Sequence, residues 1–372
     1  MIIEQKKHID RFRTIYFGFL SKVSGFLLFA IFGLLFIYSP AAGADTKEES
    51  DSEPVAQELR ERFKSESFSL GILLQTQTRY SFEDTDFNGG RAWDLGSTRI
   101  DFRGTVDRDF TYRVRVYFLS QQQSIDARVG YRFSDNHQVV AGAYKPFLSK
   151  ELDPSPANLD FVRRARLVGA MMNTLEIGVS TLGNIGSFWY SFGMYNGSGV
   201  ADVSAIAESN DNRFLYTGRL AWEIVSLDEH TLELGGNGAY NGSRDEDVGN
   251  TELISQGGRT LYGGYLSYDS DLIFGTIEFI RSQFDAAEFA GRLETIDGAY
   301  ATLGVNLDPR NELLVRWDYL GFDIKGDESN RFLLGWNYCP TSLVSFRVNA
   351  LADFSDQKGT QFGLESLFQY HF

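Results

Sequence analysis

The sequence predicts an all-β chain folded as a transmembrane antiparallel β-barrel of 16 strands. Three observations point to this fold: apolar and polar residues alternate from Phe68 onward, an export signal begins the chain, and an aromatic residue, Phe372, ends it. The composition agrees, because 31 Phe, 18 Tyr and 37 Gly with only 7 Pro are typical of many strands joined by tight turns. A single Cys excludes a disulfide framework, a cysteine-based zinc cluster and an iron–sulfur site.

Residues 1–44 are expected to be a cleaved signal peptide. Five basic residues precede or border an apolar run over 25–38, and Ala42-Gly43-Ala44 follows as a small-residue cleavage site. The alternative is an uncleaved anchor, but the run is shorter than the roughly 20 residues that a spanning helix needs. Cleavage after Ala44 leaves 30 basic against 48 acidic residues, a charge of −18. Together with the barrel pattern, the signal predicts the cell outer membrane as the location.

Residues 45–67 form an acidic segment that we expect on the periplasmic side. Val55, Leu59 and Phe63 stand four residues apart, which favours one short helix starting at Pro54. A solvated acidic linker is an equal alternative, so the sequence assigns this segment no function.

From 68 to 372 the alternation defines strands with one apolar and one polar face. Tyr112, Val114, Val116 and Phe118, for example, alternate with Arg113, Arg115 and Tyr117. Segments of about ten residues with this pattern are what a barrel needs when lipid wets its outside and water its inside. A soluble sandwich also alternates, but it does not usually place so many arginines on one parity. At the C-terminus, Phe362, Leu364, Phe368, Tyr370 and Phe372 share a parity, which resembles the signal read by the outer-membrane assembly machinery.

The strand number follows from the lengths of the connections. Short periplasmic turns must alternate with longer external loops in such a barrel. Seven short and seven long connections alternate along the chain, except around residues 146–173. A strand over 163–172 would give 17 strands and put a long connection, 197–212, on the periplasmic side. Treating 146–173 as one external connection restores the alternation and gives 16 strands.

Residues 146–173 are too long for an ordinary turn, and they combine apolar side chains with cations. A 28-residue connection is uncommon unless it is functional. We therefore expect it to fold inward as a constriction loop, with an ordinary outer loop as the alternative. Its candidate residues are Lys150, Arg163, Arg164 and Arg166.

A block of positive charge interrupts this acidic chain. Residues 95–170 contain 12 basic and 8 acidic residues, whereas the rest of the mature chain carries −22. Guanidinium groups stay charged and offer a planar fork of donors that suits phosphate oxygens, and a row of weak sites lets an anion enter and leave. A structural wall of arginines paired with carboxylates is the alternative. The candidate anion pathway is Arg99, Arg103, Arg113, Arg115, Arg128, Arg132 and Lys145.

Several segments resemble the phosphate-selective porin O and P family. They include 125–136, Tyr144-Lys145-Pro146-Phe147, 189–197 and 335–341, in family order over about 68–372. The resemblance implies a trimeric porin of 16 strands with an inward third external loop and a lumen lined by arginines. The family's constriction residues cannot be transferred one by one, because this chain reads Phe161-Val162-Arg163-Arg164-Ala165, where an acidic residue before a single Arg is commoner.

The sequence contains no expected catalytic or cofactor site. His8, His137, His230 and His371 share no inward face, so neither a Ser-His nucleophile nor a metal site is expected. The acidic balance argues against nucleic acid as a partner.

The expected function is a passive channel for small anions such as phosphate, in a homotrimer that contacts outer-membrane lipid and lipopolysaccharide. Acidic loops would bridge to lipopolysaccharide through divalent cations, although simple solvation also explains their charges. A general or cation-preferring porin is the first alternative, favoured by the charge of −18. A non-conducting surface or structural barrel is the second.

Overall fold

The computed structural model describes residues 57–58, 61–65, 67–82, 91–118, 125–199, 213–227, 230–242 and 244–372. Sixteen strands cross the sheet in it: β1 Ser69–Ser81, β2 in two pieces Ala92–Leu95 and Thr98–Thr105, β3 Phe110–Phe118, β4 Ile125–Ser134, β5 His137–Tyr144, β6 Glu176–Ile185, β7 Phe188–Tyr195, β8 Leu215–Leu227, β9 His230–Asn241, β10 Arg259–Ser270, β11 Ile273–Ala286, β12 Arg292–Asp308, β13 Asn311–Phe322, β14 Glu328–Thr341, β15 Val344–Ser355 and β16 Gly359–His371.

All neighbours in this sheet are antiparallel, and the sheet closes because β1 pairs with β16. Both pieces of β2 pair with β1: Leu73 opposes Arg99, and Gln77 opposes Asp94. Between these two pairs β2 contains one residue more than β1, and this extra residue forms a bulge. Two further pairs of residues, Glu246–Asp247 and Ile254–Ser255, form a small ladder within the connection between β9 and β10. The predicted closed barrel of 16 strands is confirmed.

No strand lies between β5 and β6. That connection contains a 3-10 turn, Pro156–Asn158, and one short helix, α1, Arg166–Met171. A second 3-10 turn, Ala287–Phe289, follows β11.

The barrel is apolar outside and polar inside. Outward side chains such as Val129, Leu220 and Ile277 are more than half exposed, at 55%, 54% and 57%. Aromatic pairs such as Trp336 and Tyr338, with ring centroids 5.8 Å apart, lie on this outer face near a turn. This exposure is expected where lipid rather than water meets the strands.

Some acidic residues lie inside the barrel wall. Seven carboxylates of the described residues are buried on the inward parity of strands: Asp126, Glu176, Glu278, Glu294, Asp318, Asp353 and Glu365.

Residues 1–44, the predicted signal peptide, lie outside the described residues. Residues 57–58 and 61–63 are helical, and Arg62 forms an ion pair with Glu58 at 2.6 Å. No helix among the described residues has the length and apolar character to cross a membrane.

The apolar core lies inside the barrel, on one side. Leu167 and Met171 of α1 pack with inward side chains of β10 to β12, among them Ile280 and Tyr300. Gly298 of β12 makes this approach possible, because a Cβ there would stand 2.5 Å from the Cβ of Leu167. The part of the barrel interior next to β10, β11 and β12 is therefore filled by the β5–β6 connection.

Candidate permeation pathway

Three of the predicted arginines lie side by side at one level of the inner wall. In the sheet register Arg103 of β2 opposes Arg113 of β3, which in turn opposes Arg128 of β4. Directly opposed residues share a face and approach within about 5 Å at the Cβ atoms, so like charges in such a row repel. We call Arg103, Arg113 and Arg128 the arginine row.

Two residues farther along each of these strands, the wall carries an arginine whose charge is neutralised by two carboxylates. Asp101, Arg115 and Asp126 oppose one another in register, and Arg115 contacts both carboxylates at 3.2 Å. Arg113 also donates to Asp101, from its Nε at 3.0 Å and from its Nη2. Arg113 and Arg115 are therefore fixed in orientation by carboxylates, which is the arrangement of a structural wall.

Other members of the candidate pathway differ in their surroundings. Arg99 is buried, and its Nη2 donates to Ser155 Oγ of the β5–β6 connection at 2.5 Å. Arg132 is exposed, near the turn between β4 and β5. Within the described part of the chain, Arg103, Arg128 and Arg132 have no carboxylate in ion-pair distance. Arg128 stacks its guanidinium 5.8 Å from the ring of Tyr144.

Lys145 has a structural environment. Its Nζ donates to the backbone carbonyls of Leu152, Asp153 and Pro154 at 2.7, 2.9 and 2.8 Å. All three donors of the ammonium group are thereby directed to the turn of the connection. Lys145 accordingly stabilises the shape of residues 146–173, where the sequence had suggested an anion contact.

Residues 146–173, which we call the inner segment, hydrogen-bond to the inward side chains of many strands. Glu278 of β11 accepts from Ser149 Oγ and Lys150 N, both at 2.9 Å, and from Glu151 N at 3.2 Å. Farther along the segment, Asn349 Oδ1 of β15 accepts from Val162 N at 2.8 Å. Further bonds reach β1, β2, β8, β13, β14 and β16.

The four predicted cations of the inner segment are each engaged with protein groups. Lys150 pairs with Glu233 at 2.8 Å, and Arg163 pairs with Glu365 at 3.0 Å. The other two act locally or on the wall: Arg164 donates to carbonyls within the segment, and Arg166 donates to the Asp318 carbonyl at 2.6 Å and to Ser329 Oγ at 2.7 Å. These contacts fix the segment and compensate most of its charge.

One side of the wall carries no such anchors. Among the described residues, no side chain of β3 or β4 hydrogen-bonds to the inner segment. A cavity of about 910 Å³ occupies this side, and Phe147 is the only residue of the inner segment among its described lining. The cationic side chains that line it are Lys64, Arg103, Arg113, Arg128 and Arg132, and its described lining includes no carboxylate.

A second cavity, of about 430 Å³, is lined by β7 to β9 and also reaches Phe147. Its charges are mixed, since Lys150 and Arg219 are accompanied by Asp153, Glu223 and Glu233. The first cavity therefore differs from the second in that no carboxylate is among its described lining residues, although Arg113 pairs with Asp101 of the neighbouring level.

Sequence reasoning missed several inward arginines outside residues 95–170. Arg316 is buried and contacts Glu151 at 3.1 Å, and Arg347 donates to the Ala157 carbonyl at 2.5 Å. Both stand between outward apolar residues, so the parity rule alone identifies them. Net charge along the chain does not reveal them, because adjacent carboxylates offset their charge.

The carboxylate of Asp160, in the inner segment, has a pKa above the ordinary value of an aspartate. Burial raises the pKa of Asp160 to about 6, and the positive charge of Arg316 only partly offsets this effect. Its charge therefore changes near pH 6.

Comparison with protein-family models and with curated protein sequences finds no match. Solved structures do match. An anion-selective porin from Comamonas acidovorans is similar at 11% identity and a TM-score of 0.58, over 82% of this chain and 99% of that one. OprB of Pseudomonas putida is similar at 9% identity and a TM-score of 0.61, over 86% and 97%.

A trimer form of the outer-membrane protein OmpT of Vibrio cholerae is also similar, at 14% identity and a TM-score of 0.57, over 82% of this chain and 99% of that one. At these identities the likeness establishes architecture alone. The chain therefore has the 16-stranded barrel fold found in outer-membrane porins.

Proposed function

We propose that this chain is an outer-membrane porin that forms a passive diffusion channel with a preference for small anions of the phosphate type. The observation that carries the proposal is the cavity beside β2 to β5, whose lining holds five cations and no described carboxylate. Such a wall raises the local concentration of anions, and its weak repeated contacts allow them to leave. The resemblance to the phosphate-selective porin O and P family agrees with this function.

The inner segment serves in this proposal as the constriction. Its anchors leave β3 and β4 uncovered, so ions would pass between the segment and the arginine row. In this proposal Arg103, Arg128 and Arg132 contact the permeating anion, while Arg113 and Arg115 act through the positive field that their carboxylate partners reduce.

Reversal potentials in a potassium chloride gradient across a planar bilayer test the selectivity. We expect anion preference, and a preference for cations would refute the proposal. Removing one charge about 8 Å from the ion changes its energy by roughly 0.5 kcal/mol in water, so R128Q should lower anion permeability about twofold. R281Q is the matched control, because Arg281 faces outward and pairs with Asp297 at 2.6 Å.

Phosphate binding is a separate question from anion preference. If the arginine row binds phosphate more tightly than chloride, millimolar phosphate should reduce the chloride current of the wild type and reduce it less in R128Q. Equal chloride currents with and without phosphate would indicate a general anion channel.

The anchoring of the inner segment favours one alternative, a non-conducting structural barrel. In the described part of the chain the segment hydrogen-bonds to many strands of the wall, although not to β3 or β4. Absence of any current from folded protein would select this alternative. A general or cation-preferring porin is the other alternative, and it would appear directly as the sign of the reversal potential.

We also propose that the protein assembles as a homotrimer through the outer face of β1 and β16. Thr78 and Ser366 face outward there, with their hydroxyl oxygens 2.7 Å apart, and a groove on this face also includes Thr76, Trp93 and Phe346. Hydroxyl groups are uncommon on a surface that meets lipid chains. Electrophoresis of unheated protein should show a band of three chains, and a monomer band alone would refute this assembly.

The outer-membrane location also brings lipid and lipopolysaccharide into contact with the apolar outer face. Fractionation of membranes tests the location, and recovery in the inner membrane would contradict it.

A further inference from the structure

The second cavity, of about 430 Å³ beside β7 to β9, lies outside the proposed anion pathway. Its volume is within the range of about 300–1,000 Å³ that is usual for small-molecule sites. Gly186 and Ser187, in the short turn between β6 and β7, belong to its lining, so it lies toward that end of the barrel. Phe147 lines both this cavity and the first one, so the two cavities are neighbours.

Two glutamates stand opposite each other in the wall of the second cavity. Glu223 of β8 opposes Glu233 of β9, and both line the cavity. Next to this pair β8 contains one extra residue, Ile224, which forms a bulge. Directly opposed like charges repel each other, so this wall favours a partner that donates hydrogen bonds.

Lys150 of the inner segment supplies donors beside these acceptors. Its Nζ donates to Glu233 Oε1 at 2.8 Å, and the Tyr265 hydroxyl donates to the same oxygen at 2.6 Å. The side chains of Lys150 and Glu233 are 30% and 24% exposed. Because an ammonium group has three donors and a carboxylate has two oxygens, this pair keeps capacity for a further hydrogen-bonding partner.

Trp189 and Phe147 give the cavity an aromatic side. Their rings meet edge to face, with centroids 5.9 Å apart, and both line the cavity. The guanidinium carbon of Arg219 lies 5.2 Å from the centroid of the Trp189 ring, and Arg219 forms an ion pair with Asp153 of the inner segment. The rings are therefore held in place by neighbours from the wall and from the inner segment.

The charges of this lining largely cancel, unlike those of the first cavity. Two cations and three carboxylates are among its described residues, and Lys150 with Glu233 and Arg219 with Asp153 form ion pairs. Donors and acceptors thus stand side by side with little net charge. A hydroxyl group both donates and accepts, so it matches such a lining better than a simple ion does. The C–H face of a sugar ring is apolar and fits against an aromatic ring.

We propose that the second cavity is a binding site for a neutral, polyhydroxylated solute of the sugar type. Glu223 and Lys150 hydrogen-bond to its hydroxyl groups, while Trp189 and Phe147 cover its apolar face. This site uses none of the arginine row, so it goes beyond the proposed anion channel and does not depend on it.

Equilibrium dialysis of folded protein against radiolabelled maltose tests the proposal without any ion current. The protein is kept in a detergent without a sugar headgroup, so that the detergent does not compete. Glu223→Gln removes a charge and keeps the volume, and Trp189→Leu removes a ring. The matched control is Trp222→Leu on β8, because Trp222 is 43% exposed on the outer face and stacks on Phe188 at 5.7 Å.

We expect saturable binding of one maltose per chain in the wild type and in Trp222→Leu. Glu223→Gln should weaken binding about fivefold, because hydrogen bonds to a charged acceptor are stronger than those to a neutral one. Trp189→Leu should weaken it by at least about fivefold, because the apolar face of the sugar loses its contact.

Absence of saturable maltose binding to the wild type would overturn the proposal. Wild-type affinity in both Glu223→Gln and Trp189→Leu would also overturn it, because maltose would then bind elsewhere. Should Trp189→Leu fail to fold, Glu223→Gln decides alone. Saturable binding of radiolabelled choline in place of maltose would make the cavity a cation site and refute the ligand class.

Failure of the proposed anion channel has a different signature. Cation preference or absence of current in the bilayer refutes the channel proposal and leaves the dialysis result unaffected. Loss of maltose binding in turn says nothing about the sign of the reversal potential.

Discussion

The anchor at Glu278 provides the sharpest test of whether the inner segment constricts the channel. Its carboxylate is fully buried and accepts three hydrogen bonds from Ser149, Lys150 and Glu151. Glu278→Ala removes the acceptor of all three. A buried donor without its partner costs about 1–3 kcal/mol. Because water can enter beside a released turn, we take the lower end, a total of roughly 3 kcal/mol.

This loss shifts the equilibrium of the segment's first turn about 100-fold toward detachment, since 1.4 kcal/mol corresponds to a factor of ten. Detachment frees residues 149–151 from β11, so the inner segment is no longer held at its distance from the arginine row. Single-channel conductance should therefore change, and trypsin should cleave after Lys150 in the variant but not in the wild type.

Glu294→Ala is the matched control for Glu278→Ala. Glu294 is equally buried on the adjacent strand β12, and it accepts from Ile324 N at 3.0 Å and Lys325 N at 2.9 Å. It thus anchors a different connection, outside the inner segment. We expect wild-type conductance from Glu294→Ala. Equal conductance in both folded variants, with cleavage after Lys150 in Glu278→Ala, would refute the constriction role.

Three further predictions concern pH, packing and assembly. As pH falls through about 6, Asp160 takes up a proton and removes a negative charge from the lumen, so anion preference should rise between pH 7.5 and 5; in Asp160→Asn the reversal potential should not respond in this way. Gly298→Ala should push helix α1 away from β12, toward the arginine row on the opposite wall, and lower conductance, whereas Gly238→Ala should not, because a Cβ there meets only one atom, at 3.8 Å; unchanged conductance in Gly298→Ala would contradict the packing argument. Thr78→Val combined with Ser366→Ala should weaken the trimer band in unheated electrophoresis while leaving the monomer folded. An equally stable trimer would contradict an interface on the outer face of β1 and β16.

Much of the fold could be predicted from sequence because alternation is a local property. Successive side chains of a strand point to opposite faces, and here one face meets lipid and the other meets water. The residue types of Val114 and Arg115 therefore show that Val114 points outward and Arg115 inward, without knowledge of the neighbouring strands. Connection lengths then fixed the strand number, and the inner segment was recognised by its length. The same parity rule would also have found Arg316 and Arg347, had it been applied beyond the cationic block.

The candidate site was only partly predictable, because the register between strands is a long-range property. Parity identified Arg103, Arg113 and Arg128 as inward, but only pairing across strands placed them at one level. Similarly, only tertiary contacts separated Arg128, without a described carboxylate partner, from Arg115, which lies between two carboxylates.

The sequence by itself determined that this chain forms a barrel with an apolar outside, a cationic block and one long connection, because these features depend on residue type and spacing along the chain. The tertiary structure decided which wall the inner segment binds and which arginines face an open cavity. Those facts depend on which strands are neighbours and in what register, and residues 103, 113 and 128 meet only when β2, β3 and β4 pair.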